Sequence, residues 1–180
     1  RVAVKSFVGG AIYNEDWSVS QFLSSSKNDL PKLRSSKYLQ SHFDGFYKSV
    51  KEALKTEKPV LVCGSPCQMA AMFRYLKKPY ENLIIVDYIC RGIASPMYFR
   101  KWINYLENKH NSKVIFYKAK SKELGWRKLS TRIEYANGEA DVIAGHDNPW
   151  LMMQYKVPEI CRPSCFECSF KGFPRTSDIT

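Results

Sequence analysis

The run Val60-Leu61-Val62-Cys63-Gly64-Ser65-Pro66-Cys67-Gln68-Met69, with Leu83-Ile84-Ile85-Val86 after it, decides the fold. Val60 to Cys63 is a short apolar run rich in β-branched residues, the composition of a buried strand. Gly64-Ser65-Pro66 is a tight turn, and Met69, Met72, Phe73 and Leu76 then recur at helical spacing. The second apolar run, Leu83 to Val86, follows within the length of a βαβ crossover. Two parallel strands are therefore expected, buried on both faces.

Upstream, Phe43, Phe46, Tyr47, Val50 and Leu54 recur every three or four residues and predict an amphipathic helix that ends by Lys58, since Pro59 follows. Residues 1 to 40 read as a strand-like entry, Phe7 to Tyr13, followed by Ser-rich loop. Downstream, Ser95-Pro96 forms an N-cap and N1 pair for a helix from Pro96 to Glu107, with Phe99, Ile103 and Leu106 inward. Val114 to Tyr117 reads as a third strand. Leu129, Thr131, Ile133 and Tyr135 alternate before Asn137-Gly138 and Val142-Ile143, a hairpin pattern. Residues 149 to 180 carry Pro149, Pro158, Pro163 and Pro174 without a period, so no core element is expected there. The expected class is α/β: a central, largely parallel sheet with flanking helices, an added β-hairpin and an irregular, Cys-containing C-terminal segment. One domain is expected over 1–180, with the α/β core in 1–148 and the Cys-rich tail in 149–180.

With 180 residues and 44% hydrophobic content the chain can bury a core and is too apolar to be disordered. No apolar run reaches the ~18 residues of a bilayer span, and the first thirty residues lack the order of a signal peptide. The expected location is the cytoplasm. The chain opens at Arg1 rather than at methionine and stops at Thr180 in a polar stretch, so it is expected to be part of a longer polypeptide. A formal charge of +11, from 28 Lys and Arg against 17 Asp and Glu, favours something anionic: nucleic acid, a phosphate-bearing cofactor or an acidic protein. The cations are spread along the chain and form no basic block, which speaks against a nucleic-acid tail.

Three of the six cysteines crowd into Cys161-Arg162-Pro163-Ser164-Cys165-Phe166-Glu167-Cys168. Thiolates at this C-x3-C-x2-C spacing can wrap one metal centre, either zinc or an iron-sulfur cluster, with Cys67 or Cys90 as candidate fourth ligand. The plain alternative is a set of buried free thiols. Gly64-Ser65-Pro66-Cys67-Gln68, between strand and helix, offers backbone N–H groups to a phosphate, or is an ordinary βα turn. Asp87-Tyr88-Ile89-Cys90-Arg91-Gly92 follows the next strand, so both turns should open on one sheet edge, where α/β ligand sites lie. Cys90 beside Arg91 suits a cluster ligand, a redox-active thiol or packing. Lys118, Lys120 and Lys122 alongside Gly125-Trp126 suit a flavin or dinucleotide phosphate, or a solvated edge strand. His42, His110 and His146 stand apart and form no metal spacing.

These motifs occur in one order. Ser36-Lys37-Tyr38-Leu39-Gln40-Ser41, Gly64 to Gln68, Asp87 to Gly92, and Arg162 to Cys168 with Ser177-Asp178-Ile179-Thr180 together resemble the C-terminal domain of the coenzyme F420 hydrogenase and dehydrogenase beta-subunit family. The resemblance implies an α/β oxidoreductase domain that binds FAD and relays electrons between an iron-sulfur cluster, of 4Fe-4S type, and a deazaflavin such as coenzyme F420 or a similar hydride carrier. Such a domain usually follows a small ferredoxin-like segment, which these residues do not include, and works with a ferredoxin-like domain or a redox partner protein. Carried onto this sequence, Gly64, Ser65, Pro66, Cys67, Gln68, Arg91 and Gly92 would line the flavin crevice, with Lys120 and Trp126 as further cofactor contacts. Cys165 and Cys168 would hold the cluster, completed by Cys161 and Cys90. The family commonly has Thr where this chain has Ser65, and His where it has Arg91. A permanent cation at Arg91 points to charge stabilisation of a reduced flavin rather than proton transfer. The competing expectation is a zinc-stapled, non-catalytic module that binds an acidic protein or nucleic acid.

Overall fold

Val60 to Cys63 and Leu83 to Val86 do form adjacent parallel strands, in register from Val60 opposite Leu83 to Cys63 opposite Val86. The computed structural model describes residues 6–180. Within them the chain divides into two compact units. Unit one comprises the described residues up to 34, then 41–91 and 167–180, and unit two comprises 35–40 and 92–166.

Unit one is built on a five-stranded sheet of β1 (Phe7–Tyr13), β2 (Val19–Ser24), β3 (Ser41–His42), β4 (Val60–Cys63) and β5 (Leu83–Val86). The spatial order is β3-β2-β1-β4-β5, and only the β1–β2 pair is antiparallel. The short α1 (Leu30–Leu33) packs against β1, with Leu33 near Gly10. Helices α2 (Phe46–Leu54) and α3 (Pro66–Leu76) lie on one face. There Phe46, Val50, Met69, Met72 and Leu76 pack on Val60, Val62 and Ile85, each at most 3% exposed.

Two expectations for this unit need correction. The serines of β2 suggest loop, yet the segment is a strand, because a six-residue antiparallel ladder with β1 supplies the stability that composition does not advertise. Burial on both faces of the parallel pair also fails, since Ile84 on β5 is 40% exposed while Ile85 is buried.

Unit two pairs a helix, α4 (Pro96–His110), with an antiparallel sheet of β6 (Val114–Ser121), β7 (Ser130–Tyr135) and β8 (Ala140–Ala144). Pro96 occupies the first helical turn, and Phe99, Ile103 and Leu106 are buried as the spacing required. The third strand therefore joins the hairpin and not the parallel sheet. It also runs to Ser121, because Tyr117, Ala119 and Ser121 alternate inward while Lys118 and Lys120 alternate outward.

The tail contributes to the core, contrary to the expectation from its prolines. Helix α5 (Pro149–Lys156) starts on Asn148, whose side-chain oxygen accepts from Leu151 N–H at 3.3 Å, and it buries Trp150 and Leu151. Trp150 and Tyr117 each meet Phe99 with ring centroids 5.1 Å apart. At eight residues the helix is too short to show a period.

Gly9 sits at a close approach between the first sheet and α2. A side-chain carbon there would lie 2.9 Å from Phe46 Cζ and 3.0 Å from Val62 Cγ1. Gly9→Ala is expected to lower stability by about 1–3 kcal/mol through overpacking. Gly172→Ala, with nothing within 4 Å of the new carbon, should leave the urea midpoint close to that of the parent.

Candidate functional site at the carboxyl edge of the parallel strands

Because β4 and β5 are parallel and in register, the turns that follow them emerge side by side. The Gly64 N–H donates to the Val86 carbonyl at 3.2 Å, tying the two turns together. The first turn is a helix entry with Ser65 at the N-cap, fully buried, and Pro66 in the first turn of α3. Ser65 and Gln68 form a capping box, in which Gln68 Oε1 accepts from Ser65 N–H at 3.1 Å. The Gln68 and Met69 N–H groups both donate to the Ser65 carbonyl at 3.0 Å. Gln68 Nε2 donates to Ser41 Oγ at 2.9 Å, which also receives Gln21 Nε2 at 3.2 Å, and Tyr47 O–H donates to the Gln68 carbonyl. Most donors that a phosphate would use at this helix start are thus engaged within the fold, and Gln68 acts as a strut. Cys67 is the exposed member of the turn, its sulfur 3.3 Å from Ser65 Oγ.

The second turn opens on Asp87, a carboxylate with 1% side-chain exposure, paired with Arg175 at 3.2 Å. Arg175 also donates to the Tyr88 carbonyl at 3.4 Å. The chain beyond Arg175 lies along β5: Asp178 accepts the Ile85 N–H at 2.7 Å, and Ile179 bridges Val86 in parallel. The Ile179 carbonyl takes the Asp87 N–H at 2.9 Å. The C-terminal segment is therefore an extra edge of the sheet and not an appendage. Burial, and secondarily the Asp87 carboxylate, push the Cys63 thiol above its ordinary range. Asp87 Oδ1 and Arg175 Nε are buried without a hydrogen-bond partner among the described residues. Tyr88 and Ile89, 46% and 79% exposed, present apolar surface beyond the pair. In the sequence Asp87 is one member of a turn motif with no role of its own. Arg175 gives no signal there, because a lone arginine in a Gly- and Pro-rich stretch belongs to no periodic pattern.

In unit two, Cys161 is fixed by an antiparallel bridge to Ala94, with Arg162 N–H donating to the Ile93 carbonyl at 2.9 Å. Cys165 follows in a turn of 3-10 helix, its N–H donating to the Arg162 carbonyl. Gly92 has φ +130, and a side-chain carbon there would lie 3.2 Å from Cys161 Sγ and 3.6 Å from Cys165 Cβ. The missing side chain keeps space beside the two thiols. Burial first, and Cys165 second, raise the Cys161 thiol above its ordinary range. All six cysteines are free.

Of the four expected metal ligands, Cys161 and Cys165 belong to unit two, and Cys90 and Cys168 to unit one. Among the described residues, no group of three or more His, Cys, Asp and Glu is arranged to hold a metal ion. Cys161 and Cys165 beside the Gly92 space fit one side of a cluster. Lys120 lines a cleft in unit two together with Tyr38, Arg127, Lys128, His146 and Tyr155. Trp126 is not among its walls; it is 81% exposed, with the Lys122 ammonium over its ring. His110 is a structural residue, stacked on Tyr135 with Nδ1 2.7 Å from Glu139.

The fold and these turns define an α/β domain with its polar residues gathered at a parallel-sheet edge. Residues 57–180 match the family model for the C terminus of the coenzyme F420 hydrogenase/dehydrogenase beta subunit, and the chain belongs to that family. Among solved structures the chain is similar to one from the F420-reducing [NiFe] hydrogenase complex of Methanosarcina barkeri, at 16% identity and a TM-score of 0.50. That likeness covers 91% of this chain and 52% of the other, so the chain spans about half of its structural relative. No curated protein matches the sequence. Among the described residues no helix is long and apolar enough to cross a membrane.

Breaking the Asp87–Arg175 pair from one side leaves a buried charge alone, so Arg175→Ala is expected to cost about 3–5 kcal/mol. Chemical denaturation should also show Asp87→Asn with Arg175→Ala costing less than the sum of the two single changes.

Proposed function

We propose that the chain is the flavin- and iron-sulfur-handling part of a cytoplasmic oxidoreductase. It would move electrons between a hydride-type cofactor, a deazaflavin or similar, and a ferredoxin-like partner. The observation that carries this reading is the family match over residues 57–180, because it takes in both turns at the strand ends and all three clustered cysteines. The unsatisfied Asp87 Oδ1 and Arg175 Nε support a polar group docking at that edge, since buried polar atoms are ordinarily paired. Cys67, Arg91, Tyr88 and Ile89 would line the crevice, with Arg91 holding negative charge on the reduced cofactor. Ser65 and Gln68 would keep the turn rigid through their mutual cap. Cys165 and Cys168, with Cys161 and Cys90, would hold the cluster, and Gly92 would leave it room. Bound flavin supplies the conversion between two-electron and one-electron chemistry, and the cluster supplies the one-electron relay.

Anaerobic purification of the full-length protein, followed by iron, acid-labile sulfide and flavin analysis, tests the reading. Iron, sulfide and flavin should all be present, and Cys165→Ser or Cys168→Ser should lose iron and sulfide while keeping flavin. Stoichiometric zinc with neither iron nor flavin would replace this reading with that of a zinc-stapled binding module.

A further inference from the structure

We propose that the cationic cleft in unit two binds a phosphate-bearing aromatic molecule of mononucleotide size. The cleft holds about 310 Å³, at the lower end of the ~300–1,000 Å³ range of small-molecule sites. That volume suits one phosphorylated ring system and not a whole dinucleotide.

Three cations face the cleft: Lys120 at the end of β6, and Arg127 and Lys128 from the connection to β7. Arg127 and Lys128 have no ion-pair partner among the described residues, whereas Lys113 and Arg132 of the same unit are paired with Glu107 and with Glu123 and Glu134. The Lys120 ammonium lies over the Tyr38 ring, 5.5 Å from its centroid, which positions it without neutralising it. His146 adds a ring nitrogen, shared with Asp147 at 3.3 Å.

A guanidinium and two ammonium groups on one cleft whose lining holds no carboxylate match a phosphate better than a solvated face, because Arg offers paired donors and Lys a point charge. The Tyr38 and Tyr155 rings, with Leu151 and Met152, supply apolar surface for a planar ring. Gly145 closes the wall. A side-chain carbon there would lie 3.0 Å from the Leu129 carbonyl, so the bare glycine lets its turn approach the segment that carries Arg127 and Lys128.

Isothermal titration of the full-length protein with ADP, adenosine and inorganic pyrophosphate tests the site. ADP should bind more tightly than adenosine, and R127Q/K128Q should weaken it by about tenfold or more, since bonds to charged groups are being removed. K101Q, an exposed cation outside the cleft, should change nothing. Tyr155→Ala should weaken ADP but not pyrophosphate. These side chains are exposed, so the variants should keep the parent's circular dichroism, iron and flavin content, and a loss of ADP binding is then separable from any failure of the redox reading. No ADP binding to the parent protein would overturn the proposal. So would equal weakening by K101Q, or adenosine or pyrophosphate binding as tightly as ADP.

Discussion

The register between Val60–Cys63 and Leu83–Val86 is the constraint on which the site depends. Parallel pairing requires a crossover, here α3, and it forces both strands to finish at the same edge. Cys63 stands opposite Val86, so the turn carrying Ser65 and Cys67 begins level with the turn carrying Asp87 and Cys90. A register slip of one residue would invert the faces of β5, exposing Ile85 and burying Ile84 against the two helices. The apolar packing of Val60, Val62 and Ile85 on α2 and α3 thereby fixes the geometry of the polar edge beside it.

That edge is closed by the far end of the chain. A buried carboxylate such as Asp87 persists in a low-dielectric setting only with a partner, and Arg175 is that partner across 88 positions of sequence. The backbone hydrogen bonds from Asp178 N–H to the Ile85 carbonyl and from Asp87 N–H to the Ile179 carbonyl then continue the sheet beyond β5. Cys168 lies in this same C-terminal stretch of unit one. In unit two Cys161 is fixed by its bridge to Ala94.

Local signals make the β4–α3–β5 unit legible: a β-branched run, a proline in the first helical turn and helical spacing after it. The same holds for α4 and the Asn137-Gly138 hairpin. Features set by distant partners are not legible. The serines of β2 disguise a strand that exists because β1 lies beside it, and the lysines of β6 disguise its length. Helix α5 is shorter than any window in which a period shows. At the site, Ser65, Cys67 and Cys90 stand out by their place after strands. Gln68 reads as a cofactor contact in sequence, and its bonds to Ser65 and Ser41, which fix the turn, show only in the structure. Asp87–Arg175 and the Arg127–Lys128 rim depend on contacts that sequence order does not announce.

The proposed iron-sulfur cluster is tested most directly by anomalous X-ray scattering from anaerobically grown crystals of the full-length protein. An iron peak bonded to the sulfurs of Cys165 and Cys168 is expected. A zinc peak on those sulfurs, or thiols with no metal scattering in protein shown to contain iron, would contradict it.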